Sequence, residues 1–127
     1  MTEGEACKEA YESIFQHIEG GMELVRHTLS KLKETENCWE FVHLKSELMQ
    51  QILDLLPIYA GDCPFCLLYL RDEETEEKNC KECPYGKIHG ICSQSGYSTY
   101  SNLVGKISWL ERAIFKYGRV PDDMEEK

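Results

Sequence analysis

Apolar residues recur along the first quarter of the chain at alternating steps of three and four, the spacing of one face of an α-helix. The members of this stripe are Tyr11, Phe15, Ile18, Met22, Val25, Leu29 and Leu32. The pattern predicts one helix from Ala6 to Leu32. Each glycine in a helix costs about 1 kcal/mol relative to alanine, so Gly20-Gly21 is a point where the helix can bend or divide.

Two more helical patterns follow. The second spans residues 39–56, with Asn37 as its N-cap and Pro57 as its stop. The polar segment before it is short, which favours an antiparallel hairpin of the first two helices. The third pattern begins near Ser98, again with steps of three and four, and ends at Gly118.

These patterns predict an all-α fold, an antiparallel bundle of three to four helices with a cysteine-rich, metal-binding loop insert. A chain of 127 residues has the usual size of one domain. We therefore predict a single helical domain over 1–121, with a metal-binding segment at 61–98, and an acidic tail at 122–127. Within that segment, Asp62 can cap a short helix that carries Pro64 in its first turn.

The composition restricts the partners that we expect. Acidic residues number 23 against 14 basic ones, giving a net charge of −9 that repels a phosphate backbone. The basic residues are scattered along the sequence, so we expect no nucleic-acid partner. No stretch approaches the roughly 20 apolar residues of a membrane-spanning helix, and the N-terminal segment is acidic where an export signal would be basic. We expect a cytoplasmic protein without a membrane partner.

Cysteine is the most informative residue type in this chain. There are seven cysteines, and five of them lie between residues 63 and 92. In a reducing cytosol, clustered cysteines more often bind metal than form disulfides. The cluster contains two CxxC pairs, Cys63/Cys66 and Cys80/Cys83, separated by thirteen residues, and eight residues separate Cys83 from Cys92. Two such pairs are typical of a metal site.

The paired spacing predicts a structural zinc site with Cys63, Cys66, Cys80 and Cys83 as ligands. Two residues between cysteines allow both sulfurs to reach one ion from a tight turn, and a second pair completes the tetrahedron that zinc favours. Cys92 is an alternative ligand or a fifth thiolate. We expect His89 to be a surface or hydrogen-bonded imidazole and not a ligand.

An iron-sulfur cluster is the alternative cofactor, because five thiols lie close together and Pro84 directly follows Cys83. The corresponding alternative function is electron transfer or redox sensing. Four thiolates around zinc leave no open coordination position, so our main hypothesis is a non-enzymatic binding or regulatory module. Its partner would be another protein or a second copy of the chain.

Several other side chains have simpler interpretations. Cys7 and Cys38 stand alone near helix starts, and we expect them to be small buried residues. Tyr85, Tyr97 and Tyr100 are expected to pack the metal loop onto the helices, with a recognition surface as the alternative.

At the segments CPFCLLYL, CKECPYG and HGIC followed by SGYSTYSN, the chain resembles small uncharacterised archaeal and phage zinc-binding proteins. Their pattern is CPxC, CxxCP and a further cysteine between helices. The resemblance covers about a third of the chain, roughly residues 62–102. It implies a ligand role for the two cysteine pairs and for Cys92, and it implies no substrate.

Overall fold

The backbone is all-α over the residues that the computed structural model describes, which are 1–69, 82–92 and 98–121. Within these ranges there are five α-helices: α1 (Glu3–Glu34), α2 (Cys38–Leu53), α3 (Pro64–Tyr69), α4 (Pro84–His89) and α5 (Thr99–Tyr117). A 3₁₀ turn, Ala60–Asp62, precedes α3, and no strand occurs in these parts of the chain. The predicted all-α class is confirmed.

Helix α1 is continuous through its two glycines, as the predicted single helix requires. A β-carbon at Gly21 would collide with the side chain of Leu55, which lies just beyond α2. The glycine therefore permits a close approach between two segments. Glycine at this position is explained by tertiary packing, which the pattern of apolar residues in the sequence does not reveal.

The start of α2 agrees with the sequence and its end differs. Asn37 caps the helix, since its side chain accepts a 3.0 Å hydrogen bond from the backbone N–H of Glu40. The helix ends at Leu53, three residues before the predicted end at Leu56. Leu56 N donates to Leu53 O at 3.1 Å, so the last turn tightens to 3₁₀ geometry. The following Pro57 disfavours α geometry in the residue before it.

Helix α5 begins and ends where the sequence predicts. Ser98 is 1% exposed, and its Oγ accepts a 2.9 Å hydrogen bond from Ser101 N, which makes it the N-cap. The helix ends at Tyr117. A β-carbon on the next residue, Gly118, would collide with Ser46 of α2, so glycine is needed there for space.

The chain groups into two compact units. The cysteine unit comprises the described parts of Met1–His17 and Pro57–Lys106. The three-helix unit comprises the described parts of Ile18–Leu56 and Ile107–Lys127. The predicted acidic tail at 122–127 lies outside the described residues.

In the three-helix unit, α2 runs antiparallel to the segment of α1 and to the segment of α5 that belong to the same unit. Gly21 of α1 meets Leu55, although the two helices are joined at the other end by residues 35–37. His43, near the start of α2, donates from Nδ1 to the carbonyl of Gly118 at 3.0 Å. Gln50, further along α2, lines a groove with Trp109 of α5. The predicted hairpin is confirmed within this unit.

Candidate metal centre

Helix α3 determines the positions of Cys63 and Cys66. Cys63 has extended backbone geometry (φ −118°, ψ 120°), as expected for a residue before proline. Its carbonyl accepts a 3.2 Å hydrogen bond from Leu67 N, so Cys63 is the N-cap residue and Pro64 is the first helical residue. Cys66 lies in the first turn, and its thiol is hydrogen-bonded to that of Cys63.

Helix α4 begins in the same way. Cys83 is its N-cap with an extended backbone (φ −63°, ψ 123°), Pro84 is its first residue, and Lys87 N donates to the Cys83 carbonyl at 3.1 Å. Each Cys-Pro step therefore begins a short helix. Because proline lacks an N–H, it is tolerated at a position where that group would be unpaired.

Aromatic contacts join these two short helices. The rings of Phe65 in α3 and Tyr85 in α4 have centroids 6.2 Å apart. Tyr85 also stacks on His89, with centroids 4.3 Å apart. The exposed imidazole of His89 is hydrogen-bonded to Thr99 Oγ1 at 3.2 Å, which agrees with the predicted hydrogen-bonded role. Tyr85 thus contacts residues of both short helices in the cysteine unit.

The thiol of Cys66 lies among three others. Its pKa is raised from 9.0 to about 12, first by burial and next by the charge and the hydrogen bond of Cys63. The thiols of Cys92 and Cys83 raise it further, in that order. Like charges this close oppose ionisation, so a neutral thiol is favoured at Cys66 while no cation is bound. The effect of Cys92 exceeds that of Cys83, which spacing alone does not indicate.

A hydrogen bond joins Cys92 to the first turn of α5. Helix α4 ends at Gly90, whose φ of 87° is a backbone conformation that other residues rarely adopt. Two residues later, the Cys92 carbonyl accepts a 3.3 Å hydrogen bond from Ser101 Oγ. The pKa of the neighbouring Tyr100 is raised by burial first and then by Cys92.

Tyr100 and Asp62 hold the segment before α3 in place. The hydroxyl of Tyr100 donates to the carbonyl of Ile58. The predicted role of Asp62 as a helix cap is wrong, because Cys63 occupies the cap position. The buried Asp62 carboxylate instead accepts from Ser13 Oγ of α1 at 2.7 Å and from Tyr59 N at 3.2 Å. A carboxylate taken out of water needs such donors, and they come from residues that the sequence does not single out.

The predicted ligands are only partly described. Cys63, Cys66, Cys83 and Cys92 are not in disulfide bonds, and each is half-buried. Cys80 lies outside the described residues, as does Tyr97. Within the described ranges, no three Cys, His, Asp or Glu side chains are arranged to hold a metal ion. The four described thiols are thus electrostatic neighbours that lack the geometry of a metal-bound site.

The two isolated cysteines differ from expectation. Cys7 and Cys38 are exposed, so their predicted burial is wrong. Each lies in the first two turns of a long helix, on a side of the helix that is exposed to solvent. They are therefore solvent-accessible thiols.

Comparison of the chain with protein-family models, with curated proteins and with solved structures finds no match. Among the described residues, none of the helices has the combined length and apolar character needed to cross a membrane.

Proposed function

We propose that this protein is a small structural zinc-binding module without catalytic activity. Three ligands of the proposed site are Cys63, Cys66 and Cys83. The fourth is Cys80, which completes the two CxxC pairs, with Cys92 as the alternative. The observation that carries the proposal is the convergence of two Cys-Pro turns, which brings thiols from separate segments into electrostatic range of Cys66.

The chemistry of the donor set suits zinc. Thiolates are the preferred soft ligands of Zn²⁺, and a four-thiolate site is tetrahedral and closed. Zinc binds the deprotonated form, so loading the site must release protons from thiols such as Cys66. Burial and, after it, repulsion from the neighbouring thiolates raise the pKa of Cys66, and a bound cation would remove that repulsion.

A metal would supply stability that the cysteine unit otherwise lacks. Among the residues of this unit that the structure describes, the buried apolar side chains are few and small, namely Ala6 and Ala10. Apparent binding free energies of structural zinc are about 10 to 16 kcal/mol, which is comparable to the stability of a whole domain. We infer that metal binding draws the thiols together and stabilises the backbone at Cys63-Pro64 and Cys83-Pro84.

The role that follows from a closed site is binding or regulation. With four thiolates bound, no coordination position remains for water or substrate. The metal then stabilises the conformation of a surface that binds a protein partner or a second copy of the chain. Free thiols persist in a reducing compartment, so we place this function in the cytoplasm.

Elemental analysis and visible absorption of anaerobically purified protein test the proposal. A colourless protein with about one zinc per chain is the expected result. Visible absorption bands together with iron would instead establish the iron-sulfur alternative and a redox function. The proposal is overturned if the protein contains no metal and keeps a cooperative unfolding transition in a strong chelator.

A further inference from the structure

One helical turn carries both Cys63 and Cys66. Cys63 is the N-cap residue of α3, and Cys66 is the third helical residue, after Pro64 and Phe65. The side chains of an N-cap residue and of the third helical residue meet across the first turn, as they do in a capping box. The thiols of Cys63 and Cys66 are accordingly hydrogen-bonded to each other.

The second CxxC pair has a different position relative to its helix. Its second member, Cys83, is the N-cap residue of α4, and the third helical residue there is Gly86. Its first member, Cys80, comes before α4 in the sequence. Glycine has no side chain that could pair with Cys83 across the turn. The first pair is therefore held thiol to thiol by its helix in a way that α4 does not provide for Cys83.

The pair Cys63/Cys66 meets the requirements for oxidation to a disulfide. Neither residue is in a disulfide bond, and each is half-buried, so part of each residue is open to a small oxidant. A disulfide needs β-carbons about 3.5 to 4.5 Å apart, and side chains three positions apart on a helix are already within about 5 to 6 Å. Cys63 can close this difference by a small rotation, because its backbone is extended and lies outside the helix. Groups that the fold holds together also react faster than groups that meet by diffusion.

We propose that Cys63 and Cys66 form an oxidative modification site, at which a hydroperoxide converts the two thiols to a disulfide and thereby releases the bound zinc. This inference rests on the zinc module proposed above and names the chemistry that regulates it. Only thiolates bind zinc, so one disulfide removes two of the four ligands at once. The two that remain cannot enclose the ion.

The reaction transfers two electrons from sulfur to the peroxide. One sulfur of the pair attacks a peroxide oxygen, the O–O bond breaks, and a sulfenic acid and one water are formed. The other sulfur attacks the sulfenic sulfur, the S–S bond forms, and the S–OH oxygen leaves as a second water. Two thiols and one hydrogen peroxide thus give one disulfide and two waters. When the sulfurs begin as zinc-bound thiolates, the two protons come from solvent.

Oxidation of the full chain purified with its zinc tests the proposal. Hydrogen peroxide is added in amounts up to one equivalent of the chain, and released zinc is followed with a colorimetric zinc indicator. The expected result is one zinc released for each disulfide formed. A dithiol reductant should restore the thiols by exchange, so zinc should bind again after it is added.

Tryptic digestion after alkylation identifies the linked cysteines, because the sequence separates them. Residues 46–71 form one tryptic peptide, which carries Cys63 and Cys66 and no other cysteine. The other clustered cysteines fall in three separate tryptic peptides. After oxidation, the peptide 46–71 should resist alkylation and be lighter by two hydrogen atoms than its reduced form. Any other disulfide within the cluster would join two peptides.

The double variant Cys7→Ser with Cys38→Ser is the matched control. It removes the two exposed thiols outside the cluster, which would otherwise consume peroxide or cross-link two chains. Its zinc should be released at the same amount of peroxide as in the wild type. Release that disappears in this variant would assign the reacting thiols to Cys7 or Cys38 and overturn the inference.

The remaining outcomes separate a failure of this inference from a failure of the zinc module. Zinc is measured before the oxidant is added, so a preparation without zinc overturns the module and the proposed release with it. A chain that holds zinc, keeps it in peroxide and forms no disulfide in the peptide 46–71 overturns this inference alone. Zinc release with a disulfide that joins two peptides, such as Cys66 to Cys92, does the same.

Discussion

Ser13 of α1 donates a 2.7 Å hydrogen bond from its Oγ to Oδ1 of Asp62, the residue that precedes the first cysteine of the CPFC pair. The two residues are 49 positions apart in sequence. Asp62 is 9% exposed, so its carboxylate depends on protein donors in place of water. This contact connects the long N-terminal helix to the entrance of the candidate metal centre.

Replacing Ser13 with alanine should weaken the cysteine unit. The buried carboxylate of Asp62 would lose one of its donors, at a cost of about 1 to 3 kcal/mol in the free energy of unfolding. Urea denaturation of the metal-loaded protein measures this change. Ser30→Ala is the matched control on the same helix, because Ser30 Oγ makes an exposed bond to the Arg26 carbonyl. An equal effect of both substitutions would contradict the role assigned to Ser13.

Single serine replacements should identify the zinc ligands. Cys63→Ser, Cys66→Ser and Cys83→Ser are each expected to lose zinc to a mild chelator that the wild type resists, because a hydroxyl is a poor zinc ligand. Loss in Cys80→Ser with retention in Cys92→Ser would support the paired set. The reverse result would make Cys92 the fourth ligand.

The exposed thiols provide the control for that series. Cys7→Ser and Cys38→Ser should keep the wild-type zinc content, since both residues are exposed and neither belongs to the clustered cysteines in sequence. Zinc loss in either of them, or retention in all five clustered replacements, would contradict the proposed site.

Metal removal should loosen the two Cys-Pro turns before it affects the three-helix unit. The amide of Leu67 is bonded to the Cys63 carbonyl and that of Lys87 to the Cys83 carbonyl. Their hydrogen exchange should accelerate by about tenfold or more after chelation, equivalent to about 1.4 kcal/mol of local stability.

The amide of Phe41 is the internal reference for that experiment. It is bonded to the Asn37 carbonyl at 2.9 Å, in the three-helix unit, and should exchange at an unchanged rate. Equal acceleration at all three amides would show global unfolding, and no acceleration at Leu67 or Lys87 would show that no metal stabilises the turns.

Gly118→Ala should destabilise the three-helix unit. The added β-carbon would collide with both Oγ and Cβ of Ser46, and a Cβ cannot move without its backbone. Overpacking of this kind costs about 1 to 3 kcal/mol, measurable by thermal or urea unfolding. Gly20→Ala is the control, because a β-carbon there meets open space. That substitution should stabilise α1 by about 0.5 to 1 kcal/mol, since alanine is the better helix former.

Local patterns in the sequence predict most of the helices. The apolar spacing of α1 and α5 and the cap at Asn37 depend on residues a few positions apart, so they are visible without a fold. The pattern also predicts where α1 is apolar, but it does not tell that Tyr11 and Phe15 are exposed. Exposure depends on which faces other segments cover.

Some features of the candidate site can likewise be predicted from local sequence, and others depend on the fold. The two CxxC pairs are local, and their spacing by itself makes metal binding the main hypothesis. The proximity of Cys92 to Cys66 depends on the turn at Gly90 and on the bond from Ser101. Asp62 resembles a cap in sequence, yet Ser13 and Tyr59 N are its partners in the fold.

The sequence by itself therefore determined the helical segments, the caps that bond within a turn, and the paired cysteines. Only the tertiary structure decided that Cys92 approaches Cys66, that Asp62 binds Ser13, and that Trp109 and Phe115 remain in solvent. The physical reason is the separation along the chain over which each interaction acts. Helix periodicity and capping act over three or four residues, whereas burial and charge proximity act between side chains that only folding brings together.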